Sequence, residues 1–500
     1  MFSRLLLSAN DVVLRLIFVL KFSQRSWKMF LRSCALVALG FVLAPEVEAS
    51  DWVRFRGPNG SGVATDSTPV PTTWSESENL KWTAKLPGPG LSCPIVVGDR
   101  VIVTCWSGYA VEKGELGSLE NLKRNVLCLD RATGDVLWSH EEEPILPENE
   151  FRSMFAENGY ASHTPTTDGE RVYVFFGKSG VLAFDLGDGR KLWQQKVGEN
   201  LEQRGWGSAS SPIVYKNLVI VPAFIEGDRT VAFEGATGKI VWSQDSPGYT
   251  SNWSTPILVE AEGRTDLVMA VPGEVWGVNP DNGKLRWYCE VPGSDSARAS
   301  VVADGDVVIA MAGGRGGSTS IAVRAGGKGD VKDTHLVWTG RDVSSTASPV
   351  IHNGKMYLVN NKVATSVDMA TGKRIAQTRL TATASGQPEE KPEAQPERPA
   401  PGSDQGNAQG QRGGGGRGGY GGGGVGGQDY SSPVIAGNTM FYNSRNGDVF
   451  VIELGEEMKQ VGLNKFASDK TDFSATPAIS DGEIFIRSGS TVYCIAESKK

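Results

Sequence analysis

The stretch VLCLDRATGDVLW, ending at Trp138, occurs more than once in this chain. VLAFDLGDGRKLW ends at Trp193, TVAFEGATGKIVW at Trp242 and EVWGVNPDNGKLRW at Trp287, and a divergent copy, VKDTHLVW, ends at Trp338. A sixth copy, TSVDMATGKRIA, has Ala376 where the tryptophan would stand, and a seventh, DVFVIELGEEMKQV, keeps only the outline. Self-similarity of this kind limits the fold more than any composition does, because each copy must be one supersecondary unit.

Upstream of each copy lies a second element: small polar residues, often a proline, then alternating apolar residues. It reads SCPIVVGDRVIV (92–103), SHTPTTDGERVYV (162–174), SSPIVYKNLVIV (210–221) and STPILV (254–259). ASVVADGDVVIA (299–310), ASPVIHNGKMYLV (347–359), SSPVIAGNTMFY (431–442) and SATPAISDGEIFI (474–485) follow, which makes eight starts. Each unit parses as four short strands, A to D, with the tryptophan on strand D. The Thr-Gly hairpin suits a turn with glycine in the left-handed region. Four antiparallel strands repeated radially make an all-β, eight-bladed β-propeller, in which no blade buries both faces without its neighbours.

The eighth unit, ending SGSTVYCIAESKK, supplies strands A to C and no strand D. NLKWTAKLP (79–87) carries Trp82 in strand context before the first blade, so the N-terminal strand is expected to complete blade eight and close the ring without free edges. Strand D is outermost, which places Trp82, Trp138, Trp193, Trp242, Trp287 and Trp338 away from the axis. They are expected to pack in the seams between blades, where a buried indole contributes several kcal/mol.

The repeated A-x-D-x-x-T-G-x-x-x-W pattern resembles the pyrroloquinoline-quinone-type (PQQ-like) propeller repeat. That repeat is shared by quinoprotein alcohol dehydrogenases and by the BamB-like propeller of outer-membrane assembly. The resemblance covers about residues 75–500 and implies the fold; the repeat itself is architectural and assigns no chemistry. DWVRFRGPNGSG (51–62) resembles the lead-in of secreted relatives. An enzyme of the quinoprotein kind implies PQQ, calcium held by acidic and amide side chains, an aspartate base and a vicinal disulfide. This chain has no adjacent cysteines and no C-x-x-C-H haem site, and no residues can be matched to the calcium or base positions.

Residues 1–49 read as a targeting region. Lys28 and Arg32 precede the apolar run Cys34 to Ala44, and Val47-Glu48-Ala49 offers a small-residue cleavage site. An uncleaved anchor is the alternative, although the run is short for a span. Removing 1–49 takes six Lys/Arg and three Asp/Glu from totals of 50 and 57, leaving 44 basic and 54 acidic residues and a net charge of −10. That surface argues against nucleic-acid binding. Five cysteines remain without a CxxC pair, which reads as neither a disulfide scaffold nor a zinc site. One alternative sets Cys105 and Cys128 on neighbouring strands as a bridge; buried free thiols are the simpler reading. The four histidines have no ligand spacing, and GWGSASS (205–211) leads into a strand, unlike a nucleophile elbow.

The segments just before strand A cross one propeller face and carry a recurring aromatic: Tyr160, Trp206, Trp253, Tyr430 and Phe473. Either these plug the channel mouth as core, or they line a surface for a peptide, sugar or partner loop, with His163, Arg204 and Asn252 as polar contacts. Residues 381–430 interrupt the pattern between blades six and seven, first Pro/Glu-rich and then Gly-rich, a composition that buries no core.

The domain reading is therefore 1–49 targeting, 50–500 one propeller, and 381–430 a disordered insertion. The functional expectation is an exported, monomeric, non-catalytic scaffold in the periplasm or outside the cell, without catalytic, cofactor or metal residues. Its partner would be an envelope protein, a peptide or a polysaccharide at the propeller face. The rival is a PQQ-dependent oxidoreductase.

Overall fold

Eight sheets are arranged around a ring of hydrogen bonds between the residues that precede their innermost strands. The computed structural model describes residues 51–382 and 428–498, apart from 67, 113, 153–154, 202–205, 294 and 315–316. All of them lie in one unit, Ala49–Lys500. The targeting region and most of the 381–430 insertion fall outside the described residues.

The A strands are Ile95–Val97, Thr166–Thr167, Ile213–Tyr215, Ile257–Ala261, Val302–Asp304, Val350–His352, Val434–Ala436 and Ala478–Ser480. Each begins a four-stranded antiparallel sheet whose far edge is the D strand: Val136–Glu142, Lys191–Gln195, Ile240–Asp245, Leu285–Glu290, Leu336–Gly340, Arg374–Arg379 and Met458–Asn464 for blades 1 to 7. The eighth D strand is Leu80–Lys85, which pairs with Thr491–Ile495 and sets Trp82 opposite Cys494. The protein is an eight-bladed β-propeller closed by its N-terminal strand. Blade 4 carries one addition, a parallel two-residue strand, Gly329–Asp330, on its outer edge.

The apolar core is distributed over the seams. Seven buried clusters each combine residues of neighbouring blades, such as Ile102 and Trp138 of blade 1 with Val172 and Phe184 of blade 2. The strand-D tryptophans close these seams in a repeated way. The indole Nε1 of Trp138 donates to Leu186 O at 3.1 Å, that of Trp193 to Gly235 O at 2.8 Å and that of Trp242 to Pro280 O at 2.9 Å. Trp338 does the same to Met369 O and Trp82 to Arg131 O, so each ring reaches the C–D turn of the next blade. The turn glycine is the floor of that contact. Gly189 has φ +72°, and a Cβ there would stand 2.4 Å from the Trp138 ring; at Gly238 (φ +71°) it would stand 2.6 Å from Trp193. The Thr-Gly turn and the tryptophan are thus socket and plug of successive blades.

Trp287 departs from the pattern. It is fully buried and donates to Asp266 Oδ2 of its own blade at 2.7 Å. The connection in blade 5 is AGGKGDVKDTHL, which lacks the Thr-Gly turn, so there is no socket for the ring to enter. All five described cysteines are free and buried. Cys128 faces Ile102 and Cys105 faces Asn125 across their strands, so the two thiols do not share a rung.

The N-terminal segment Asp51–Ala64 runs beneath the ring before reaching its outside. Trp52 bridges Val96, Val53 O accepts from Thr167, Asn59 bonds both backbone groups of Leu258, and Gly62 and Ala64 bond Ile435. These partners lie on A strands of blades 1, 2, 4 and 7. They all follow the residues that meet at the axis, so the segment closes the end of the channel opposite the lead-in loops. No helix among the described residues is long and apolar enough to cross a membrane.

Candidate functional site

At the axis, one residue per blade forms a closed girdle: Cys93, Thr164, Ser211, Thr255, Ser300, Ser348, Ser432 and Thr476. The backbone N–H of each donates to the side chain of the next, at 2.9 to 3.2 Å, and the last step is Thr476 N–H to Cys93 Sγ. In seven of the eight blades a proline follows; blade 5 has Val301. Proline has no N–H to satisfy in this crowded ring, and it biases the preceding residue to the extended conformation that turns its side chain to its neighbour. The small polar-proline dipeptide of the sequence is the signature of this ring.

Above the girdle opens a cavity of ≈ 180 Å³, walled by girdle residues and by Leu91, Asn158, Ser162, Ala209, Arg298, Thr346, Gln428 and Ser474. Trp206, Trp253 and Tyr430 also line it, and Phe55 of the N-terminal segment reaches it from the far side. The rings of Trp206 and Trp253 stand 5.5 Å apart at 35°. Trp253 Nε1 donates to Gly207 O at 2.8 Å, which fixes that pair, and Arg298 lies 5.5 Å from the Trp206 centroid. Both tryptophans and Tyr430 are partly exposed, so the cavity rim is aromatic and open.

A strut crosses the mouth. The short helix Phe155–Asn158, in the loop joining blades 1 and 2, hydrogen-bonds Trp206 O through Asn158 Nδ2. Its Glu157 pairs with Arg445 of blade 7, which also holds Asp472 at 2.6 Å and lies 5.8 Å from the Tyr430 centroid. Burial and the two surrounding carboxylates raise the Tyr430 phenol.

The remaining residues singled out in the sequence lie elsewhere. Tyr160 and His163 are buried and line a separate, smaller cavity of ≈ 40 Å³ among blades 1 to 3. Asn252 is buried and spends its amide on Ala270 O and on the N–H of Ser254. Phe473 is fully buried in the seam of blades 7 and 8, against Tyr493 and Gly447. Both therefore sit in the framework beneath the face instead of on it, because the lead-in loops turn inward between blades at these points. Arg204 lies outside the described residues.

The smaller cavity holds groups that the sequence did not single out. Arg124 and Glu148 form a buried ion pair at 2.9 Å, and Lys178 Nζ donates to Pro147 O at 2.6 Å. Glu226, on the short helix Phe224–Gly227, accepts from Ser208 Oγ with one oxygen while the other has no partner. Burial pushes its carboxyl up to about 7. Burial holds His163 down to about 3, so its ring is neutral, and its Nε2 is without a partner. A carboxyl poised near neutrality in an enclosed polar pocket can exchange a proton. Among the described residues no group of three or more His, Cys, Asp or Glu is placed to hold a metal ion.

Comparison with known proteins places this geometry in context. A curated polyvinylalcohol dehydrogenase from Pseudomonas sp. is 21% identical over 262 residues, 43% of this chain and 37% of the relative. The matched region thus spans little more than a third of that enzyme. Among solved structures, BamB from Moraxella catarrhalis superposes with a TM-score of 0.53 at 10% identity, covering 84% of this chain and 97% of that one. A europium-containing methanol dehydrogenase gives 0.55 at 12%, covering 89% and 90%. Both likenesses establish the fold alone. The sequence model of the family described as outer membrane protein assembly factor BamB matches residues 60–206 and 123–378, together more than half of the chain. With its eight blades, its socketed tryptophans and that match, the chain belongs to the BamB-type family of PQQ-like β-propellers.

Proposed function

We propose that the protein is a binding propeller of the cell envelope that captures a ligand or a partner loop at its axial mouth. The observation that carries this reading is the partly exposed Trp206–Trp253 pair over a walled cavity of ≈ 180 Å³. Aromatic side chains on a rigid frame supply contact area at low entropic cost, which is the composition of binding hot spots. The targeting reading of residues 1–49 and the BamB-type family support an envelope location.

The test is capture from envelope extracts of the native host, with Trp206→Ala and Trp253→Ala as comparison. Capture should fall in both variants while thermal stability stays close to that of the parent. Capture that survives both substitutions in a folded protein excludes the axial mouth.

The second reading is a quinone-dependent alcohol oxidoreductase, supported by the polyvinylalcohol dehydrogenase match. The aromatic rim and Arg298 suit a flat anionic ring, but among the described residues the lining contains no Asp or Glu. A divalent cation beside such a ring needs hard, anionic oxygen ligands. The donor set therefore does not fit the quinone–calcium pair. Protein purified from the native host should show no quinone absorbance band and no dye-linked alcohol oxidation after addition of PQQ and calcium. Either signal would reverse the order of the two readings.

A further inference from the structure

The axis of this acidic protein is lined with buried cations that have no carboxylate. Arg54 is 5% exposed, Arg56 1% and Arg487 0%. Their hydrogen bonds go to neutral groups: Arg54 to Pro256 O, Arg56 to Pro349 O and Ser61 O, and Arg487 to Ser92 O and Oγ. Pro256, Pro349 and Ser92 each adjoin a girdle residue, so the three guanidiniums surround the ring. None is ion-paired among the described residues, although Arg124, Arg131, Arg286, Arg374 and Arg445 all are. Five of their nitrogens are buried without a partner: Arg54 Nε, Arg56 Nε and Nη1, and Arg487 Nε and Nη2.

Water can satisfy an N–H group, but it leaves the charge in place. A buried cation without a counter-charge is strongly destabilising, and several together repel. The consequence is visible in their acidity: desolvation lowers Arg54 and Arg56 to about 9 and Arg487 to about 10. Arg487 bonds Ser92, the residue before Cys93, and Phe55 stands between Arg54 and Arg56 in the chain; Cys93 and Phe55 both line the axial cavity. The buried guanidiniums thus adjoin residues of the cavity floor. A fourth cation, Arg298, stands in the cavity wall with its Nε buried and unbonded. Ser474, 7% exposed, adds a hydroxyl without a partner to the same lining. Among the described acidic groups at the mouth, Glu157 and Asp472 are held by Arg445, and Asp429 accepts from the Arg445 N–H and the Tyr442 hydroxyl.

We propose that the axial cavity binds a small oxyanion, a carboxylate or a phosphate group, held by Arg298 and Ser474 and attracted by Arg54 and Arg56 beneath the girdle and by Arg487 beside Ser92. This rests on the axial mouth being the binding site and names the chemistry it selects. Guanidinium is suited to both groups, since its planar fork matches two oxygens. The rim supplies the apolar contact for whatever carries the anion. On a chain of net charge −10 without residues 1–49, the axis is the local exception that draws an anion inward.

The test uses titration calorimetry and thermal shift on the full chain with inorganic phosphate, sulfate and acetate, against chloride at matched ionic strength. At least one oxyanion should bind saturably with one site and raise the melting temperature where chloride does not. A preference for phosphate over acetate, or the reverse, identifies which source the site favours. Arg298→Gln should weaken that binding by about thirtyfold or more while leaving the anion-free melting temperature near the parent value. Bound anion should also slow alkylation of Cys93, read by peptide mass, because that thiol lines the cavity. Absence of saturable binding overturns the proposal, as does binding that Arg298→Gln leaves intact. If the parent captures a partner that Trp206→Ala and Trp253→Ala both lose, while no anion binds, the chemistry is wrong and the axial mouth stands; absence of both tryptophan-dependent capture and anion binding rejects the site.

Discussion

Gly238 and Trp193 illustrate what a single position does in this ring. The glycine supplies a left-handed turn and leaves the space that the indole of the preceding blade fills, with the indole N–H on Gly235 O. Trp193→Ala should cost about 3–5 kcal/mol, the range for a large ring removed from a core. Gly238→Ala should cost a comparable amount, because the new methyl meets the ring at 2.6 Å on a backbone that disfavours a side chain. The two losses should not add, since both disrupt the same contact and removing the ring also removes the clash, and a double-mutant cycle on chemical denaturation reads this directly. Additive losses would show that the seam does not depend on that pair. Glu226 makes a different prediction. Its folded carboxyl holds its proton up to about pH 7, against an ordinary value of 4.5, so folding binds the proton more tightly than the unfolded chain does. Its contribution is full below pH 4.5 and is lost as pH rises through 7, on the order of 3 kcal/mol. Relative to the parent, Glu226→Gln should gain stability steadily over that window and then level off; a flat difference would mean that the carboxyl is not buried as described.

The lead-in loops show how far a sequence can be read one element at a time. Their aromatic residues recur at similar spacing, and spacing alone cannot say which loops turn toward the axis. Trp206, Trp253 and Tyr430 line the cavity, whereas Phe473 goes into a seam and Tyr160 into a neighbouring pocket. The eight-blade order and the closing strand were legible because period and turn chemistry are local. The girdle was half legible: its small polar-proline step stands out in the sequence, but the bonds from N–H to the next side chain join residues 44 to 84 positions apart in neighbouring blades, and 383 apart where Thr476 meets Cys93 to close the ring. Arg298, Glu226 and the N-terminal arginines carried no local signal, since only assembly of the ring brings them to the axis or into a pocket. Asn252 tests the distinction between framework and rim. Asn252→Ala removes two buried hydrogen bonds and should lower stability by about 1–3 kcal/mol, measured by denaturant unfolding. Trp253→Ala, on the open rim, should instead lower partner capture with a smaller loss of stability.

At the scale of the whole molecule, the N-terminal segment does two jobs that are usually separate. It closes one end of the channel through Trp52, Arg54, Arg56 and Asn59, and then supplies the outer strand of blade 8 through Leu80–Lys85. Trp82 then fills the first socket of the ring, with its N–H on Arg131 O at 2.9 Å. Removing residues 51–87 should therefore leave three defects together: an open edge along Thr491–Ile495, an empty socket on blade 1, and a channel with its N-terminal closure gone. An open, apolar edge pairs with other chains, so the truncated protein should melt at lower temperature and run as larger species on gel filtration. Supplying residues 51–87 as a separate peptide should restore a monomeric species, because the contacts of that segment are with the ring and not with the chain that tethers it. A truncated protein that stays monomeric with an unchanged melting temperature would show that the other seven seams hold the ring shut without it. Restoration by a peptide in which Trp82 is alanine would assign closure to the strand pairing and not to the socketed ring.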